Sequence, residues 1–152
     1  MDTLIIWILG IALLLLTAVG VFYLKSKTKE YTYSTVKVGN KEVKVEIADT
    51  GEKRAKGLMF REILEKDSGM LFIFPVTGKH SFWMANTKIA LDIIWINTNK
   101  EIVYIKENTP PCASVTNLCK SYKPSKEAKY VLEVNSGWVK NNNIKLGDSI
   151  TL

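Results

Sequence analysis

The chain has one histidine, His80, two cysteines, Cys112 and Cys119, and two arginines, Arg54 and Arg61. Each scarcity excludes something. A structural zinc site takes four ligands, and His80 with the two cysteines supplies three, so no metal is expected. Ser81 beside His80 does not make a triad, because neighbours on a strand point to opposite faces. The glycines stand singly, so no phosphate-cradling loop is present and no cofactor is expected. Of 21 basic residues all but Arg54 and Arg61 are lysines. They are dispersed, with no RNA-binding or helix-turn-helix pattern, which argues against nucleic acid as a partner. The net charge of +6 reads as a solvated surface that could also favour an anionic membrane.

What is present is an ordinary globular composition, with 47% hydrophobic and 24% charged residues, preceded by a distinct apolar run. Residues 3–24 carry no charge. As a helix they would extend roughly 30 Å, enough to cross a bilayer core. Trp7 and Tyr23 sit near its ends, as in an aromatic belt. Asp2 and the length of the run disfavour a cleaved signal peptide, although Ala18-Val19-Gly20 resembles a cleavage site. The expectation is a single-pass anchor over residues 3–24, a polar linker at 25–30 and one domain at 31–152.

Two signals on sidedness conflict. Lys25, Lys27 and Lys29 place the domain on the cytoplasmic side by the positive-inside rule. The cysteine pair fits a local disulfide between Cys112 and Cys119, which needs an oxidising compartment. Two reduced thiols are the alternative.

Along the domain, short β-rich stretches dominate. Residues 31–38 and 42–48 flank Gly39-Asn40-Lys41, a hairpin signal. Val43, Val45 and Ile47 alternate with Lys44 and Glu46. Residues 49–64 read as a helix capped by Asp49 or Thr50, with Ala55, Leu58 and Met59 on its apolar face and Arg54 and Arg61 on one side. Gly57 marks close packing or a break. A buried strand at 69–75 should end at Pro75, with turn residues from Val76 to Lys79. Further strands are expected at 80–84, 89–96, 101–107 and 129–134, a helix near 136–142 capped by Asn135 or Ser136, and a last strand at 149–152. Many short strands with two short helices give a mainly β, closed or sandwiched fold.

The candidate site rests on polar residues in apolar company. Asn86, Thr87 and Asp92 interrupt the apolar stretch 80–96. Asp92 shares a strand face with Ile94 and Ile96. A carboxylate there needs a partner, or its pKa rises. The partner could be the amides of the 85–87 turn, an arginine, or a ligand. Glu133 repeats the pattern on one face with Val131.

Taken in order, Arg54-Ala-Lys-Gly-Leu-Met-Phe-Arg-Glu62, Gly69-Met-Leu-Phe-Ile-Phe-Pro75, Phe82-Trp-Met-Ala-Asn-Thr87, Leu91-Asp-Ile-Ile94, Pro111-Cys112, Tyr130-Val-Leu-Glu-Val-Asn-Ser-Gly137 and Ile144-Lys-Leu-Gly-Asp148 resemble the uncharacterised domain family DUF192, or UPF0127. The resemblance runs from about residue 36 to the last residue. It implies a single jelly-roll-like or barrel-like β domain, members that are often exported or membrane-anchored, and no established activity. Ala85 stands where the family usually has Lys or Arg, and Ala90 where it often has Pro. The resemblance tips the sidedness conflict toward an extracytoplasmic domain on a cell membrane.

The expectation is therefore a binding or envelope-associated module. Its cleft lies near the 82–87 turn, lined by Arg54, Arg61, Trp83, Asn86, Asp92, Glu133 and Asn135, and takes a polar ligand such as a saccharide or peptide. The alternatives are a hydrolase using Asp92 or Glu133 as acid/base, and a structural partner of another membrane protein.

Overall fold

The computed structural model describes residues 7–11, 13–15, 17, 31–112 and 119–152. The chain divides into two units, Met1–Glu30 and Tyr31–Leu152. In the first, residues 7–11, 13–15 and 17 are helical. No helix among the described residues is long and apolar enough to cross a membrane. The expected span over residues 3–24 and the linker at 25–30 lie largely outside the described residues.

The second unit is built on strands β1 Tyr33–Val38, β2 Lys41–Ala48, β3 Ser68–Gly78, β4 Phe82–Trp83, β5 Leu91–Ile96, β6 Ile102–Thr109, β7 Ser121–Tyr122, β8 Ala128–Asn135 and β9 Ile150–Thr151, with helices α1 Gly51–Lys56 and α2 Trp138–Asn141. Seven strands form one sheet in the order β6-β5-β8-β3-β2-β1-β9, and β4 pairs with β7 alone. All pairings are antiparallel except β2 with β3. A parallel pair needs a crossover, and residues 49–67, including α1, supply it.

The sheet curls until its two ends meet at one corner. Ile102 N donates to Asp148 O and Ile150 N to Lys100 O, both at 2.8 Å. The fold is thus mainly β, as expected. It is a half-barrel made from one curled sheet, not the pair of stacked sheets of a jelly roll.

Strict alternation sorts the side chains onto two faces. Val36, Val38, Val43, Val45, Leu71, Ile94, Ile96, Leu132, Val134 and Ile150 form the inner core, with Trp138 and Val139 of α2 packed against it. Met70, Phe72, Leu91, Ile93, Trp95 and Val131 face outward, where Leu58, Phe82, Met84 and Tyr122 cover them. Phe82 sits edge-on to both Phe72 and Trp95, with centroids 4.8 Å and 5.7 Å away. Because both faces are covered, all six residues of β5 are buried. Each such apolar side chain contributes about 1.5–3 kcal/mol.

Four local expectations are corrected. The first helix is six residues long, is capped by Thr50, whose Oγ1 accepts from Lys53 N at 3.2 Å, and buries no residue. It stops because Gly57 adopts a φ of 48° and a ψ of −137°, outside the helical region. Arg61 therefore shares no helix face with Arg54. Pro75 does not end β3, which continues to Gly78. Pro75 falls where the β3–β8 register shifts, between Ile73 and Gly78, a place that needs no amide donor. Finally, α2 begins after Gly137, which offers no side-chain cap.

Candidate functional site

Asp92 answers the question its position raised. On β5 it pairs across from Val134 of β8 and faces inward. It is fully buried. Its Oδ1 accepts from Asn108 N at 2.9 Å and its Oδ2 from Val139 N at 3.0 Å. Val139 is the second residue of α2, so Asp92 caps that helix from a distant strand, supplying the acceptor that Gly137 lacks. The expected partners were the 85–87 amides, an arginine, or a ligand. Among the described residues neither the 85–87 amides nor an arginine touches it, because the inner face lies on the other side of the sheet from the 82–87 turn.

The outer face carries a row across four strands. In register these are Glu46 of β2, Met70 of β3, Glu133 of β8 and Ile93 of β5. Glu46 and Glu133 are both buried, at 6% and 4% exposure, and have opposite surroundings. Glu46 receives a forked pair of bonds from Arg61 Nη2, at 2.7 Å and 2.5 Å. No hydrogen bond or ion pair reaches the Glu133 carboxyl group among the described residues. Desolvation by burial raises its pKa to about 8, so Glu133 is a neutral acid at pH 7. No sealed side-chain polar atom among the described residues lacks a partner. The Glu133 oxygens must therefore open onto free space.

That space is a crevice of about 30 Å³ bounded by α1 and the loop after it, by Phe72, and by Phe82, Trp83, Ala85 and Thr87. One water-sized group needs on the order of 10–15 Å³, so the crevice holds a small group, not a whole ligand. Trp83 is 52% exposed at its margin. Arg54 and Lys56 also border it. The Arg54 guanidinium is fixed by Asp49 O at 2.6 Å and Ile73 O at 2.8 Å and lies 5.4 Å above the Phe74 ring. Gly69 makes the neighbouring backbone approach possible, since a Cβ there would sit 2.4 Å from the Glu133 carbonyl oxygen.

The seven expected residues thus separate. Arg54, Trp83 and Glu133 come together at the crevice. Asn86 forms the adjoining turn with a φ of 55°, and its carbonyl accepts from Phe60 N at 2.8 Å. Arg61 borders a different hollow of about 300 Å³ with Tyr33, Lys44 and Glu46. Asn135 borders a third, of about 360 Å³, where its Nδ2 donates to Leu64 O and Glu65 O, each at 3.0 Å. Asp92 belongs to none of them. Phe72 and Lys56 border the crevice without having been expected there, and Thr87, which closes the expected 82–87 turn, borders it too. Thr87 alone carried a signal, as a polar residue in the apolar 80–96 stretch.

The Cys112–Cys119 disulfide is formed. Cys112 bridges to both Ala85 and Thr87, so Cys112 buttresses the crevice turn. His80 stacks on Phe74, with centroids 3.6 Å apart. Among the described residues no group of His, Cys, Asp and Glu could hold a metal.

The family model described as "Uncharacterized ACR", DUF192, matches residues 34–152. The chain belongs to the DUF192 family. A UPF0127 protein of Pyrococcus abyssi is 32% identical over 72% of this chain and 86% of its own length. A UPF0127 protein of Thermococcus gammatolerans is 27% identical, and the chain spans 65% of it, less than two thirds of that relative's length. The chain is similar in fold to two crystal structures. A Novosphingobium aromaticivorans protein of unknown function has a TM-score of 0.74 at 29% identity, covering 83% of this chain and 89% of its own. A proposed transcription regulator from Sinorhizobium meliloti has a TM-score of 0.70 at 30% identity, covering 80% and 95%. The function of DUF192 is uncharacterised.

Proposed function

We propose that this DUF192 domain is a membrane-tethered, extracytoplasmic binding module whose site is the Glu133 crevice. One observation carries the binding reading: a buried carboxyl group with no partner among the described residues, opening onto a crevice beside a half-exposed indole. An unpartnered buried polar group costs about 1–3 kcal/mol, a cost that a ligand supplying the missing hydrogen bond removes. Tethering rests on the charge-free run at residues 3–24, and the outside location on the disulfide. Lys25, Lys27 and Lys29 oppose that location.

A hydrolase with two carboxyl groups fits less well. Asp92 and Glu133 lie on opposite faces of the sheet, and both Asp92 oxygens are occupied. A partner-protein reading draws on Phe60 and Ile63, which are 61% and 78% exposed on the loop after α1.

The test of the binding reading is a thermal-shift screen of the full chain against small polar compounds, run in parallel on Trp83→Ala. A compound that stabilises the wild type and not the variant supports the site. Hits that stabilise both equally place the ligand elsewhere. Sidedness is read by thiol labelling on intact cells with an impermeant reagent. Cys112 and Cys119 should label only after an impermeant reductant. Labelling that needs permeabilisation and no reductant refutes the outside location.

A further inference from the structure

The ligand class follows from the crevice chemistry, and the inference rests on the binding reading above. We propose that the crevice admits one uncharged oxygen of a sugar whose ring lies against Trp83, and that the protonated Glu133 carboxyl donates a hydrogen bond to that oxygen. Four observations narrow the choice. The crevice has room for a small group only, about 30 Å³. A charged oxygen would have to shed its water in a space that takes one small group, with Phe72, Phe82 and Leu58 among its walls and Arg54 Nη1 already bonded to Asp49 O and Ile73 O, so a neutral oxygen enters at less cost. The cations at its border, Arg54 and Lys56, oppose a cationic ligand. A wholly apolar group would leave the Glu133 oxygens unsatisfied. What remains is a neutral acceptor, and a half-exposed indole suits the flat face of a pyranose.

The electrostatic surroundings make the idea testable by pH. Among the described residues, Arg54 and Lys56 are the only other ionisable groups bordering the crevice. The cross-strand neighbours of Glu133 are Met70 on β3 and Ile93 on β5, both uncharged. Burial holds the Glu133 proton until about pH 8. A sugar that needs that proton should bind below this value and be released above it.

The experiment titrates the full chain in detergent micelles with N-acetylglucosamine and, separately, glucose, following the Trp83 indole and Thr87 amide by NMR. The two sugars separate an acetamido oxygen from a hydroxyl oxygen. The expected result is saturable shifts at both positions, with binding about tenfold weaker near pH 9 than near pH 7. Glu133→Gln, which keeps a neutral donor, should bind within about twofold of wild type near pH 7 and lose the pH dependence. Glu133→Leu should abolish the shifts. If the leucine variant fails to fold, the pH profiles of wild type and Glu133→Gln still decide.

Tighter binding at higher pH, loss of binding in Glu133→Gln, or no shift with either sugar overturns the inference. Methylammonium is titrated in parallel. If it alone shifts Trp83, the crevice binds a cation, so the sugar assignment falls and the binding reading stands. If neither the sugars, nor methylammonium, nor the thermal-shift panel acts through Trp83, both fall.

Discussion

On the inner face of the sheet Asp92 meets two backbone amides. On the outer face the Glu133 carboxyl, on the adjacent strand, meets no hydrogen-bond partner among the described residues. Both are carboxyl groups buried in apolar company, and their environments assign them opposite tasks. Asp92 ties three separate pieces of chain together: β5, the end of β6 and the start of α2. Charge-assisted bonds to backbone amides are strong and directional, so Asp92 belongs to the fold. Glu133 contributes no such tie and carries the cost of burial. A second comparison on the outer face agrees. Glu46, two strands away in the same row, is buried and satisfied by Arg61. Burial of a carboxyl group therefore does not by itself mark a site here. The proposed site rests on burial with no partner among the described residues, beside open space.

The largest effect should come from breaking the Asp92 side. Asp92→Ala leaves the amides of Asn108 and Val139 without acceptors and removes the cap of α2. The expected loss is about 2–5 kcal/mol, read by denaturant unfolding. Asp92→Asn should also destabilise, because one of its two acceptors becomes a donor. Unchanged stability in Asp92→Ala would show that water replaces the carboxylate and that the inner tie is dispensable.

Next comes Glu133, with the opposite sign. Its folded pKa of about 8 exceeds the unfolded value, so folding takes up a proton between about pH 4.5 and pH 8. Stability contributed by this group is complete below that window and falls as pH rises through it. By pH 7 the loss relative to acid is about 3 kcal/mol. Glu133→Gln has no ionisation to suppress. It should be more stable than wild type near pH 7 and should flatten the slope of stability against pH. A destabilised Glu133→Gln with the slope intact would mean that Glu133 has a partner in solution.

Arg61→Ala sharpens the contrast within the outer row. Removing the guanidinium gives Glu46 the unpartnered state of Glu133, at a cost of about 1–3 kcal/mol. Guanidinium added to the buffer should restore part of it in urea melts compared at equal ionic strength. The smallest effect belongs to Trp83→Ala. Half-exposed, it should change stability by less than about 1 kcal/mol while removing binding at the crevice.

Much of this was legible before any coordinates. The alternation of Val43, Val45 and Ile47, the unbroken apolar β5 and the ordered motifs gave a mainly β domain of the DUF192 family. The disulfide was legible because Cys112 and Cys119 have no other candidate partner in the chain. The isolation of Asp92 and Glu133 among apolar residues was also visible in the alternation. Their roles were not legible. Period-two alternation says that Asp92 and Ile94 share a face, and nothing about what that face meets.

What the sequence determined by itself was the local and the periodic: strand content, the family, the cysteine pairing, and a charge-free run at residues 3–24. Only the tertiary structure decided which polar residues meet. The amides that hold Asp92 lie 16 and 47 residues away, brought there by strand register and by a helix whose cap no local pattern predicts. The same register placed Glu133 in line with Glu46, and the stop at Gly57 sent Arg61 to only one of them. Alternation is a property of neighbouring residues; a hydrogen bond is a property of whatever the fold places opposite.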